Sequence, residues 1–85
     1  MKLEVYGALG RCPECVNLKR YLDNKFHVYS FVDVDTYADT RAELNIKRIP
    51  VLILRDDDGR ELLRVTSFNQ NVKGDVDSLL SELIK

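Results

Sequence analysis

Two cysteines make up the whole thiol inventory of this chain, and they stand two residues apart in Cys12-Pro13-Glu14-Cys15. Sulfur attacks and binds metals as thiolate rather than as thiol. A pair at this spacing supports exchange chemistry, in which one sulfur attacks a disulfide and the other resolves the mixed disulfide that forms. The loop between them is too small to serve as the staple of a disulfide-dependent mini-protein. A four-ligand zinc site needs partners that a chain with one histidine and no further cysteine lacks. The bland alternatives are therefore a structural disulfide, or a zinc or iron–sulfur site shared across a dimer, and no metal is expected in the single chain.

The neighbours assign the roles. Pro13 suits the first turn of a helix, where its missing N–H is not needed. Cys12 then faces the unpaired N–H groups and the positive dipole end of that helix, which favour thiolate. Thiols in such places ionise at about 3.5–7.5, against about 8.5 for a free cysteine. Cys15, one turn further on the apolar face, is expected to be buried. Hence Cys12 reads as nucleophile and Cys15 as resolving cysteine. The Glu14 carboxylate repels a thiolate at Cys12, and the Arg11 cation opposes that effect. With Glu14 dominant, the expected potential lies nearer about −270 mV than the strongly oxidising end, about −120 mV.

A strand must deliver Cys12 and a helix must receive it. Leu3 and Val5 alternate with polar residues, and Gly7 and Gly10 follow, so residues 2–7 read as a strand running into a loop. Cys15, Leu18, Leu22 and Phe26 recur at helical spacing, which predicts a helix over 13–25. Residues 28–34 alternate and are β-rich, giving a second strand. Thr40 and Glu43 form a capping-box pattern that opens a short helix, with Asn45 able to take the left-handed conformation at its end. Pro50 stops any continuation. Val51 to Leu54 is a continuous apolar run, as expected of a strand buried on both faces, and Asp58-Gly59 turns it into Glu61–Val65. Val76, Leu79, Leu80, Leu83 and Ile84 mark a final amphipathic helix capped by Asp75. The order β-α-β-α-β-β-α predicts an α/β architecture: a four-stranded mixed sheet, first two strands parallel, flanked by three helices.

With 85 residues, a single domain over 1–85 is expected. A content of 45% hydrophobic and 32% charged residues is that of a globular protein rather than a disordered tail. The net charge of −1 offers no basic footprint for nucleic acid. No apolar run is long enough to cross a bilayer, and no secretory-type segment opens the sequence, so a cytoplasmic monomer is expected.

These residues resemble the thioredoxin superfamily along essentially the whole chain. Val5-Tyr6 before the loop, the Cys-Pro-Xaa-Cys motif and Lys19 are similar to glutaredoxins. The stretch Asn45-Ile-Lys-Arg-Ile-Pro-Val-Leu-Ile-Leu54, followed by Asp58-Gly59, is similar to thioredoxins. The resemblance implies a thioredoxin-like fold and a thiol–disulfide oxidoreductase that maintains cell redox homeostasis. It implies that Pro50 is a cis-proline facing the disulfide, and that the backbone of Ile49 pairs with an extended substrate segment. It further implies a substrate surface built from Arg11, Pro13, Glu14, Arg48, Ile49, Pro50, Thr66 and Ser67. Partners are then disulfide-containing proteins, with no bound cofactor and with recycling by a flavoprotein reductase using NADPH or by glutathione. Thr66-Ser67 stands where glutaredoxins carry a glycine pair near the glutathione γ-glutamyl group. That substitution and the charge of Glu14 count against glutathione. Thr66-Ser67-Phe68 is similar to a segment of small redoxins that reduce ribonucleotide reductase. A non-catalytic binding module on the same fold is the alternative from another class.

Other residues have plainer readings. Lys19 is a solvated helix residue on the cysteine side of its helix, and Arg48 is either solvated or a contact for a substrate carboxylate. His27 sits at a helix-to-strand junction. Asp56-Asp57-Asp58 is a hairpin tip rather than a cation site. Tyr21, Phe26, Phe31 and Leu79 read as core.

Overall fold

A computed structural model of the chain describes residues 1–25, 28–68 and 73–83, with only the backbone described at Lys73 and Leu83. The elements are β1 (Lys2–Gly7), α1 (Pro13–Asn24), β2 (Ser30–Asp33), α2 (Ala38–Glu43), β3 (Val51–Arg55), β4 (Glu61–Thr66) and α3 (Lys73–Leu83). Their order is the expected one. They form a sheet of order β2-β1-β3-β4, in which β1 and β2 run parallel and the β1–β3 and β3–β4 pairs are antiparallel. This is the thioredoxin-like fold.

Successive side chains of a strand point to opposite faces, and the two inner strands feed two cores. Leu3 and Val5 of β1 and Leu52 and Leu54 of β3 meet Leu18 and Leu22 of α1 and Val76, Leu79 and Leu80 of α3. Tyr6, Val51 and Ile53 face the other way, against Val34 and Ile46. The apolar run Val51 to Leu54 is therefore buried on both faces, each residue 2% exposed or less. Each such side chain contributes about 1.5–3 kcal/mol of transfer free energy. Phe31 is half-buried at the rim of the first core, and Tyr21 packs there as well. Phe26, His27 and Ile84 lie outside the described residues.

Several element ends differ from the sequence pattern. The α2 helix is not capped by Thr40 but three residues earlier, by Tyr37, with Ala38 as its first residue and no side-chain cap bond. Asp33 does the preparatory work: its Oδ1 accepts the N–H groups of Asp35 (2.8 Å) and Thr36 (3.3 Å), turning the chain into the helix. At the other end the expectation for Asn45 holds, with φ 56°. Ile46 N–H reaches Arg41 C=O at 3.0 Å and Asn45 N–H reaches Ala42 C=O at 3.2 Å, a Schellman closure. Asp75 is likewise not a cap, since α3 begins at Lys73 and leaves Asp75 in the first turn, where its charge complements the dipole. The β2 strand is shorter than residues 28–34, because the ladder with β1 starts at Glu4 and Ser30 and leaves Val28 88% exposed. Helix α1 ends at Asn24, one residue early, with Lys25 as C-cap. The acidic tip is turn chemistry: Asp56 Oδ1 accepts the N–H groups of Asp58 and Arg60, both at 2.9 Å, and Gly59 takes φ 89°.

Candidate active site

The first two elements set the cysteines. After β1 the chain turns at Ala8, whose C=O accepts the N–H of Cys12 at 3.1 Å. Cys12 is the N-cap of α1 with an extended backbone, and Pro13 occupies the first helical position. Cys12 and Cys15 are joined in a disulfide with Cα atoms 5.2 Å apart. The Cys12 sulfur is half-buried and accepts the Cys15 N–H at 3.1 Å. Cys15 is fully buried. A helix N-terminus with an N–H aimed at Cys12 favours thiolate there once the bond is reduced, and the other sulfur is held within reach behind it. A shallow depression of about 280 Å³ lined by Leu9, Gly10, Arg11, Cys12, Pro13 and Val16 opens beside Cys12.

A second wall comes from the far end of the sequence. Antiparallel pairing of Tyr6 with Val51 brings the residues after β1 and those before β3 to one end of the sheet. The Ile49–Pro50 peptide is cis, Pro50 is buried, and the Ile49 carbonyl oxygen lies 3.9 Å from Cys12 Sγ. The Pro50 carbonyl accepts the Ser67 N–H at 2.7 Å. Ser67 has φ 74°, a left-handed conformation that serine rarely takes. Phe68 N–H then donates to Glu14 Oε1 at 2.9 Å, so the motif's own carboxylate ties α1 to the segment after β4.

Of the remaining predicted residues, Arg11 is exposed and engaged by Asp35. Its Nε and a terminal guanidinium nitrogen both donate to Asp35 at 2.8 Å, a bidentate pair that raises the Arg11 pKa and holds the Asp35 carboxyl below its usual range. Arg48 and Thr66 are exposed next to Ile49 and Ser67, respectively, and Pro13 is exposed on the helix end. Lys19 pairs with Asp23 at 2.9 Å along the helix. Three residues of this site have roles that the sequence did not show. Asp35 fixes Arg11, Phe68 fixes Glu14, and Gly7 lies so close to the disulfide that a Cβ there would meet Cys15 Sγ at 2.8 Å. Gly7 had been legible only as loop punctuation.

The fold and the Cys12–Cys15 pair define a thiol–disulfide oxidoreductase of the thioredoxin superfamily. The glutaredoxin family model matches residues 3–58, and the chain belongs to that family. It is 32% identical over 72 residues to the SPbeta prophage-derived thioredoxin-like protein YosR of Bacillus subtilis (strain 168), a match covering 85% of this chain and 86% of that protein. Among solved structures it is similar to Plasmodium falciparum thioredoxin, with a TM-score of 0.71 and 23% identity over 94% of this chain and 68% of that one. It is also similar to a glutaredoxin of Archaeoglobus fulgidus, with a TM-score of 0.64 and 15% identity over 93% and 85% of the two chains.

Proposed function

We propose that this chain reduces disulfides of protein substrates by dithiol exchange, as part of cytoplasmic redox homeostasis. The observation that carries the reading is the juxtaposition at Cys12: a helix N–H on its sulfur at 3.1 Å, and the backbone of Ile49, with its carbonyl oxygen 3.9 Å away, as a platform for a substrate strand. In the reduced protein the Cys12 thiolate attacks a substrate R–S–S–R′. A Cys12–S–S–R bond forms, and R′S⁻ leaves and takes a proton. Cys15 then loses its proton and attacks Cys12 Sγ, expelling RS⁻, so two electrons and two protons have passed to the substrate and the Cys12–Cys15 disulfide remains. No bound cofactor takes part. A reductase or glutathione must supply the next two electrons.

The proposed substrate surface comprises Pro13, Glu14, Ile49 and Ser67, with Arg11, Arg48 and Thr66 at its margin and the buried Pro50 setting the course of the chain behind Ile49. The Glu14 charge supports recycling by a flavoprotein reductase with NADPH over recycling by the anionic tripeptide glutathione. Thr66-Ser67-Phe68 supports ribonucleotide reductase as one substrate to try. The protein is proposed to act as a monomer. Insulin reduction driven by dithiothreitol tests the core of this reading: the wild type is expected to accelerate it, and Cys12→Ser to leave only the uncatalysed rate. Equal rates for the two proteins would remove the enzymatic reading in favour of a binding module.

A further inference from the structure

Resting on the disulfide-exchange reading above, we infer that Glu14 selects the substrate: its carboxylate, fixed beside the Cys12–Cys15 pair by the Phe68 N–H, makes the site discriminate against anionic disulfides and accept neutral and cationic ones. Glu14 is the residue between Pro13 and Cys15, in the first turn of α1, and is half-buried. Its carboxylate is not a loose surface charge. Phe68 N–H holds Oε1 at 2.9 Å, and Phe68 itself is held by its ring against Tyr21, with centroids 5.4 Å apart. The Tyr21 hydroxyl in turn donates to Asp77 of α3. The preceding residue is pinned as well, by the Ser67 N–H on the Pro50 carbonyl at 2.7 Å.

Two consequences act in the same direction. The backbone N–H groups of Ser67 and Phe68 are two donors of this wall that could receive a substrate carboxylate, and both are already engaged. The group that engages the second is an anion, so an incoming anion meets repulsion as well. Arg11 does not offset that charge, because its guanidinium is bidentate to Asp35. Like charges several ångströms apart in water repel by an amount that corresponds to roughly threefold in rate per substrate charge, about 0.6 kcal/mol. Salt at physiological strength screens part of this.

The experiment uses Glu14→Gln, whose amide oxygen can still accept the Phe68 N–H while the charge is gone. Reduced wild type and variant are mixed with a dianionic bis(nitrobenzoate) disulfide and, separately, with a neutral dipyridyl disulfide, and single-turnover rates are followed by release of the coloured thiol. The ratio of the two rates cancels any change in the intrinsic reactivity of Cys12. The anionic-to-neutral ratio is expected to rise about threefold to tenfold in Glu14→Gln at low salt, and the gap between the proteins to close as salt is added. An unchanged ratio overturns the inference and leaves the redox reading standing. A reduced wild type that reacts with the neutral disulfide no faster than a small free thiol overturns the redox reading, and the inference with it.

Discussion

Replacing Gly7 by alanine puts one methyl group into the tightest contact of the site. The new Cβ lies 2.8 Å from Cys15 Sγ, 3.2 Å from Cys15 Cβ and 3.4 Å from Phe31 Cζ. Carbon and sulfur at 2.8 Å are well inside contact distance, and neither side has room to yield. Gly7 is the last residue of β1, paired with Asp33, and its carbonyl receives the Val34 N–H at 3.0 Å. Cys15 is fully buried and covalently fixed to Cys12. Overpacking of this kind costs about 1–3 kcal/mol. For a domain of this size each kcal/mol moves the melting point by about 4–8 °C, so the oxidised variant should melt roughly 4–24 °C lower. Reduction frees the Cys15 sulfur to change rotamer, which relieves the nearest contact and leaves the one at Cβ. The oxidised form should therefore lose more stability than the reduced form, and a difference of about 1 kcal/mol raises the potential by about 20 mV. Thermal melts of both redox states and equilibration against a dithiothreitol buffer read both effects. A Cys15→Ala background removes the sulfur and should recover part of the loss, which a double-mutant cycle measures. Equal melting points for wild type and Gly7→Ala in the oxidised state would refute the reasoning, since the strand would then have room to move.

Two further outcomes follow from the segment around Phe68. Tyr21 has its pKa raised from 10.0 to about 12, chiefly by the hydrogen bond to Asp77. With the folded value above the unfolded one, its contribution is complete below pH 10 and is lost as pH rises toward 12. Urea midpoints should fall across that window in wild type and less steeply in Tyr21→Phe; parallel slopes would exclude Tyr21 as the source. Ser67→Gly removes the strain of φ 74°, about 1–2 kcal/mol, against about 0.5–1 kcal/mol of extra chain entropy in the unfolded state. A net gain of about 0–1.5 kcal/mol in denaturant unfolding is expected, and a lower stability would refute it.

How much of this was legible in the sequence depends on the range of the cause. Period-two and period-3.6 patterns report which face a residue buries, and they gave the element order, the double burial of Val51 to Leu54 and the buried face of α1. Cys12 at a helix start followed from Pro13 and the apolar spacing beyond it. Asn45 and Gly59 announced their left-handed backbones by residue type, whereas Ser67 did not, because serine carries no such preference. The capping pattern at Thr40 was overridden by Asp33, whose bonds depend on where β2 ends. Contacts across the molecule were beyond reach. Glu14 and Phe68 are 54 positions apart and Arg11 and Asp35 are 24 apart, and no local pattern links them. Reading Glu14 and Arg11 only by their distance from Cys12 in sequence made them opposing neighbours of the sulfur. Each turns out to be held by a different partner, and the charge at Glu14 matters for what approaches the sulfur from outside.

The uniform apolar character of β3 has a bearing on where Pro50 comes to rest. A strand whose four inner residues are all aliphatic buries as well after sliding by one position as before, so its hydrophobicity does not say which residue should face which. Alignment must be read from its ends. At the far end Arg55 donates to the Glu4 carboxylate, diagonally across the β1–β3 ladder and on the face shared with Tyr6, whose hydroxyl also donates to Glu4. That polar knot is five residues and roughly 17 Å along β3 from Pro50. It acts as a vernier: the alternation of β1 and this knot together hold β3 in one alignment at one end of the sheet, and with that alignment Ile49 arrives opposite the sulfur at the other.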